Sequence, residues 1–290
     1  HRMNRTFLPP ANENPLAPTR EDQLPTEIPS PSYDVVVFEN RFPSFATTAD
    51  IEHPEEDNLL GMVPRLPAHA RCEVVCFTED PALSFKDLPE SRIRTVIEAW
   101  AHRTAALSQI DGVQQVFPFE NRGEEIGVTL QHPHGQIYSY PFLSPRLRSI
   151  VDSARAYDGD LFQDLLDRER AAGTRIIAET EHFTVFVPAA AKWPLEAMVL
   201  PNEQVPDFAA LSDAQRADLA PLLKKLYSAV DRFFDGVDKT PYIAGWTQAP
   251  VDKALRPGIR MHLQLFSLMR SPGRMKYLAG SESSQAVWIN

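Results

Sequence analysis

Residues 132–140 read HPHGQIYSY, and a shorter version of the same string, HLQLFS, returns at 262–267. Written as His-x-Gln-aliphatic-aromatic-Ser, HGQIYS (134–139) and HLQLFS alternate side-chain types with a period of two, as a strand does. Each string also closes the same order of elements. Ahead of the first stand YDVVVFEN (33–40) and RCEVVCF (71–77), both strand candidates from their β-branched content. LPESRIRTVIEAWAHRTAALSQ (88–109) follows, with Ile93, Val96, Ile97, Trp100, Ala101 and Leu107 at helical spacing. VQQVFPFEN (113–121) and IGVTLQHPHGQIYSY (126–140) then read as two strands around the turn Asn121–Arg122–Gly123.

A mostly polar helix is expected over roughly 146–172, and then the order repeats. RIIAETEHFTVFVP (175–188) and EAMVLPN (196–202) read as strands, and LSDAQRADLAPLLKKLYSAVDRFF (211–234) as an amphipathic helix with a Ser-Asp start. YIAGWTQAP (242–250) and IRMHLQLFSL (259–268) are strands again. Two strand–strand–helix–strand–strand units predict a duplicated α+β fold built on antiparallel sheet, divided as 33–172 and 173–290. Residues 1–32, with FLPPANENPLAPTREDQLPTEIPSPS at 7–32, are too rich in proline for regular helix or central strand. They are expected to form an extended arm over the body, and 46–68 a long acidic surface loop.

The 290 residues carry 39 acidic against 29 basic side chains, a net charge of −10. This balance argues against binding the nucleic-acid backbone, while leaving room for a small anion held by a few local arginines. No apolar run reaches the ~20 residues of a membrane helix, and no secretory signal is visible. Cys72 and Cys76 are the only cysteines and fall four apart in an apolar strand. They read as buried thiols, and the expected compartment is a reducing cytoplasm.

The chemistry concentrates in His132-Pro133-His134-Gly135-Gln136. In an extended strand His132, His134 and Gln136 share a face, while Pro133 and Gly135 point away from it. Proline and glycine suit a strand poorly, so a bend or a close backbone approach to a ligand is expected here. Two imidazoles and one amide would then meet at one site. A neutral imidazole is a nucleophile when one ring nitrogen is held by a hydrogen bond and the other is free. An amide beside it can donate to a phosphoryl oxygen without being able to activate water. The competing readings are a structural histidine pair and a metal site.

With these motifs on view, the chain resembles the galactose-1-phosphate uridylyltransferase family of the histidine-triad-like superfamily. The resemblance is densest at FENRFPSF (38–45), 117–142, ETEHFTVFVP (179–188) and RMKYLAGSE (274–282). It implies that His134 attacks the α-phosphorus of UDP-glucose, releasing glucose 1-phosphate. Galactose 1-phosphate then accepts the uridylyl group and leaves as UDP-galactose. It further implies that Gln136 holds the phosphoryl group and that Arg2 and Arg5 contact the nucleotide. Asn40 and Asn121 would lie near uracil and ribose with Phe38 and Phe119 as apolar walls, His132 beside the substrate, and Thr129 near the phosphates. Lys276 and Glu282 would reach the hexose phosphate across a homodimer. Plain alternatives remain: turn roles for both asparagines, core packing for both phenylalanines, an exposed ion pair for Lys276 and Glu282. Arg122, Glu124 and Glu125 read as a solvated turn.

The family's metal-binding pattern is broken. Asn14-Pro15-Leu16-Ala17-Pro18 stands where relatives carry two zinc-binding cysteines, and TEDPAL where a further histidine is expected. The second site loses its ligands to Ile150, Thr247, Gln248 and the His262-Leu263-Gln264 string. Neither zinc nor iron is expected, so no cofactor is, and His262 reads as structural. The same strand chemistry would also serve a sugar-nucleotide or dinucleoside-polyphosphate phosphorylase with another base or acceptor. Gln136 argues against a hydrolase.

Overall fold

Strand and helix periods place the elements where side-chain alternation asks for them. The computed structural model describes residues 14–21, 25–49 and 68–288. The first half comprises β1 (Val36–Glu39), β2 (Cys72–Cys76), α1 (Glu90–Leu107), β3 (Gln115–Arg122) and β4 (His134–Tyr140). Two helices, α2 (Pro145–Ala156) and α3 (Leu161–Ala172), lead to β5 (Ile176–Glu179). The second half repeats the first as β6 (Phe183–Phe186), β7 (Leu195–Pro201), α4 (Asp213–Asp231), β8 (Tyr242–Thr247) and β9 (His262–Ser267). A small hairpin, β10 (Met269–Ser271) and β11 (Arg274–Met275), and α5 (Gly280–Gln285) follow.

One antiparallel sheet runs β1-β2-β4-β3-β8-β9-β7-β6-β5. The two halves meet at β3–β8, and the order on one side mirrors the order on the other. The duplicated α+β architecture read from the two strings is therefore present. Phe119 opposite Gly245 begins this seam, which runs on to Arg122 opposite Tyr242.

One sheet face is closed by α1 and α4. Ile93, Val96, Ile97, Trp100, Ala101, Thr104 and Leu107 are the buried side of α1, each large apolar one contributing ~1.5–3 kcal/mol over exposure. Trp100 packs against Phe208 and Trp246, and Tyr227 of α4 stacks on Phe85. The helix α4 opens on the expected cap: Ser212 Oγ accepts from Gln215 N, and Gln215 Oε1 from Ser212 N. Along β4, Gly135, Ile137 and Ser139 are buried under the helices, while His134, Gln136, Tyr138 and Tyr140 are half-buried on the other face. A slip of one residue would exchange these sets, so the core fixes which face His134 occupies.

Three expectations need correction. The strand expected over 126–140 begins only at His134, because 128–133 makes no ladder. The helix expected over 146–172 is two, broken at Tyr157–Asp160, where Gly159 takes a left-handed φ of 130° and Asp160 caps α3 by accepting from Gln163 N. The strand expected over 175–188 is the hairpin β5–β6. Of the arm, the described part lies across β1 and β2, burying Leu16 and Ile28 against Cys76. Residues 1–13, including Arg2 and Arg5, and 50–67 of the acidic loop lie outside the described residues. Among the described residues no helix is long and apolar enough to cross a membrane.

Candidate active site

The half-buried face of β4 presents His134 beside Cys76 of β2, and Gln136 between Val74 of β2 and Phe119 of β3. His134 Nδ1 lies 2.7 Å from the carbonyl oxygen of His132. A carbonyl only accepts, so Nδ1 carries the proton and Nε2 keeps its lone pair. Burial holds the ring's pKa below its ordinary value, so the nucleophilic neutral form dominates near pH 7. His134 also lines a cleft of about 270 Å³ shared with Asn121, Val128 and Lys239.

Gln136 is oriented from outside its strand. Asn40 Nδ2 donates to Gln136 Oε1 at 3.3 Å. Asn40 is itself fixed, accepting from Phe42 N and donating its own N–H to Cys72 O. With Oε1 engaged, the Gln136 NH₂ group is the end left to donate to a ligand. The reading of Asn40 as a plain turn residue therefore captures only half of what it does.

His132 departs from expectation. It precedes the strand, is 3% exposed, and does not join His134 and Gln136 on one face. Its Nδ1 is 2.8 Å from Asn14 Nδ2, and its Nε2 is 2.7 Å from both Thr78 O and Tyr33 Oη. It borders the same cleft as His134, but both its ring nitrogens are taken by protein groups, so only His134 has a ring nitrogen left for a substrate. Gly135 also has a different cause from the one expected. A Cβ there would stand 2.8 Å from Phe77 Cζ and 2.9 Å from the Phe119 carbonyl oxygen, so the protein's own packing demands glycine.

Asn121 lines the cleft, and Phe119 stacks on Phe117 with its edge to Tyr138. Phe38 packs with Leu16 and Ile28 of the arm. Thr129 is exposed and is not among the cleft-lining residues. Lys276 and Glu282 lie in the second half and are not among the cleft-lining residues; they are joined at 3.0 Å with side chains 11% and 2% exposed. Their pair is buried, contrary to the exposed alternative. Lys276 also donates to Lys192 O and sits near the Trp193 and Trp288 rings.

Arg122 is no solvated turn residue: its guanidinium is paired with Asp231 and Thr240 O and lies 4.2 Å from the Tyr242 ring centroid. Glu120, also on the cleft lining, accepts from Tyr242 Oη at 2.9 Å, and burial pushes its carboxyl up to about 7. Asn14, Tyr33, Thr78 and Lys239 were not singled out from the sequence as site residues, and Arg122 was read as a solvated turn. Their partners are distant in the chain, and of the first four only Asn14 stood in a string the sequence singled out.

At the two places where the resemblance implies metal sites in relatives, the donors of this chain are engaged with other protein groups. Among the described residues no three His, Cys, Asp or Glu side chains converge as a metal set. At the first site the His132 Nδ1 lone pair already accepts from Asn14. At the second, Gln248 is spent on Thr104, Val116 O and Phe208 N. His262, 2% exposed beneath Phe162, turns Nδ1 to Arg260 O at 3.1 Å, and Gln264 donates to Glu196 at 2.5 Å.

Two consecutive family models match the chain: galactose-1-phosphate uridyl transferase N-terminal domain over 3–144, and its C-terminal domain over 147–278. A galactose-1-phosphate uridylyltransferase of Streptomyces lividans is 44% identical over 86% of this chain and 65% of its own length. The chain thus spans just under two thirds of that relative. One from Thermotoga maritima is 32% identical over 92% of this chain and 82% of its own. A solved uridylyltransferase structure superposes with a TM-score of 0.84 at 25% identity, covering 98% of this chain and 88% of that one.

Proposed function

The chain belongs to the galactose-1-phosphate uridyl transferase family, and from that premise we propose that it exchanges a uridylyl group between hexose 1-phosphates through a covalent intermediate on His134. The Nε2 lone pair attacks the α-phosphorus of UDP-glucose. A P–N bond forms, the P–O bond to the β-phosphate breaks, and glucose 1-phosphate departs. The ring is then a uridylylated imidazolium, and its positive charge is stabilised by Nδ1–H donating to the His132 carbonyl. A phosphate oxygen of galactose 1-phosphate next attacks phosphorus. The P–N bond breaks, UDP-galactose leaves, and the ring regains its lone pair.

Gln136 donates from its NH₂ to a nonbridging phosphoryl oxygen as charge builds there. It carries no titratable group, so it cannot deprotonate water and hydrolyse the intermediate. Asn121 and Phe119 flank the nucleoside, Arg2 and Arg5 (outside the described residues) contact the nucleotide, and Lys276 and Glu282 serve the hexose phosphate in a homodimer. The enzyme works without a zinc or iron cofactor. One observation supports this reading most: an imidazole on a cleft with Nδ1 tied to an acceptor-only group.

Incubation with UDP-glucose labelled in its α-phosphate should label the protein, acid-labile and base-stable, and galactose 1-phosphate should discharge the label as UDP-galactose. No labelling, or equal labelling from ATP or ADP-glucose, defeats the reading; the second outcome points to a phosphorylase acting on another base.

A further inference from the structure

The nucleophile's geometry depends on a carbonyl belonging to a residue outside any strand, and that residue must be held. His132 is held by its ring. Asn14 Oδ1 accepts from Leu16 N at 3.0 Å, which turns the amide so that Nδ2 meets His132 Nδ1 at 2.8 Å. An amide nitrogen only donates, so His132 Nδ1 is a lone pair. On the other side, Thr78 O at 2.7 Å requires a proton on Nε2. Tyr33 Oη, whose hydrogen goes to the Leu16 or Thr78 carbonyl at 2.8 Å, offers His132 only a lone pair. His132 is therefore pinned as the Nε2–H tautomer from both edges. Pro133, whose carbonyl accepts from Phe77 N, fixes the next peptide. Between these anchors the His132 carbonyl has one direction, and it meets His134 Nδ1.

We propose that Asn14 is a positioning residue for the transfer: its donation to His132 replaces the electrophile that a metal would supply and, through the His132 carbonyl, aims Nε2 of His134. This rests on the reading of His134 as the nucleophile. The bond is specific in sign. Asn14→Asp would offer His132 a carboxylate, which only accepts, so Nδ1 would have to take up a proton while Nε2–H still faces Thr78. The ring would become an imidazolium, and uridylylation would acquire an ionisation absent from the unsubstituted chain.

The test uses the full chain and two readouts: single-turnover uridylylation by UDP-glucose across the range where imidazole titrates, and long-range ¹H–¹⁵N spectra of the histidine rings. Asn14→Ala should slow uridylylation about tenfold, as expected for a buried acceptor left without its donor, with little change in the UDP-glucose concentration that half-saturates it. Asn14→Asp should add a pH limb and shift the His132 signals to the protonated pattern, and it decides the matter if Asn14→Ala does not fold. Thr26→Val serves as the control. It removes the hydroxyl that bonds Ala17 O and Ile28 O within the same arm and touches neither histidine. It should lower melting temperature without changing the pH profile. Wild-type profiles and spectra in both Asn14 variants would overturn the proposal, as would a Thr26→Val profile matching that of Asn14→Asp. If the unsubstituted chain takes no label, the transfer reading fails, while the ring spectra still decide whether Asn14 sets the His132 tautomer.

Discussion

His134 and His262 open equivalent strands, and each turns Nδ1 to the carbonyl of the residue two before it, His132 in one case and Arg260 in the other. Each is followed by a glutamine on the same face. There the likeness ends. His134 is half-buried on a cleft, whereas His262 is 2% exposed beneath Phe162 of α3, and burial drives its pKa down to about 4. Gln136 accepts from Asn40, and among the described residues its NH₂ has no side-chain partner. Gln264 gives its NH₂ to Glu196. A duplicated strand thus carries over the backbone-set tautomer, but the surrounding elements decide whether that tautomer faces a substrate or the core.

The sharpest way to break this comparison is to remove each ring. His134→Ala should reduce uridylyl transfer by on the order of 10⁴-fold or more with UDP-glucose binding retained by calorimetry. His262→Ala should leave turnover within about twofold while costing about 2 kcal/mol in urea unfolding. Equal losses of activity would erase the distinction. The glutamines come next. Gln136→Glu removes the phosphoryl donor and should slow transfer about 10²–10³-fold, with the remaining intermediate leaking to water as measurable UMP. Gln264→Glu sets a second carboxyl against Glu196, so one of the two stays protonated and the effect falls on stability rather than on turnover.

Smaller effects separate the two sides of the seam. Gly135→Ala drives a methyl into the Phe119 carbonyl oxygen and the Phe77 ring, whereas at Gly245 the nearest atoms to an added methyl belong to the Phe117 ring, from 2.7 Å. Overpacking against backbone should cost about 3 kcal/mol and against a movable ring about 1 kcal/mol, read as a difference in chemical denaturation. Gentlest is the pH dependence. The folded state holds His262 below its unfolded pKa of 6.5, so between 6.5 and about 4 the unfolded chain binds more protons and stability falls as pH drops. Glu120 acts oppositely: raised from 4.5 to about 7, it makes stability fall as pH rises through that window. His262→Gln should flatten the acid side of the profile of unfolding free energy against pH, measured by urea denaturation, by at most about 1.4 kcal/mol per pH unit. An unchanged acid slope would mean that His262 is not held neutral.

Much of the architecture was legible because it rests on local periodicity. Ile137 and Ser139 alternate with Tyr138 and Tyr140, and the α1 stripe from Ile93 to Leu107 is buried as its spacing demands. The string shared by 134–139 and 262–267 carried the duplication. Tyr157-Asp158-Gly159-Asp160 held a turn signal that the polar run around it masked. His132 sits in residues that look extended, and nothing local says that its ring belongs to Asn14, 118 residues away. Arg122 looks like a turn residue for the same reason: Asp231, which buries it, lies on α4, 109 residues on. Nearby periodicity reports faces; it is silent about long-range polar partners.

The ladder of four residue pairs from Phe119–Gly245 to Arg122–Tyr242 has one more implication. It makes the two halves a single fabric, since neither β3 nor β8 is a boundary strand in the intact chain. Severed between the repeats and produced as separate fragments, each would display a bare row of amides and carbonyls, well suited to pairing with itself. Such fragments should precipitate alone and recover solubility only when made together, so an ancestral single repeat would have had to exist as a dimer.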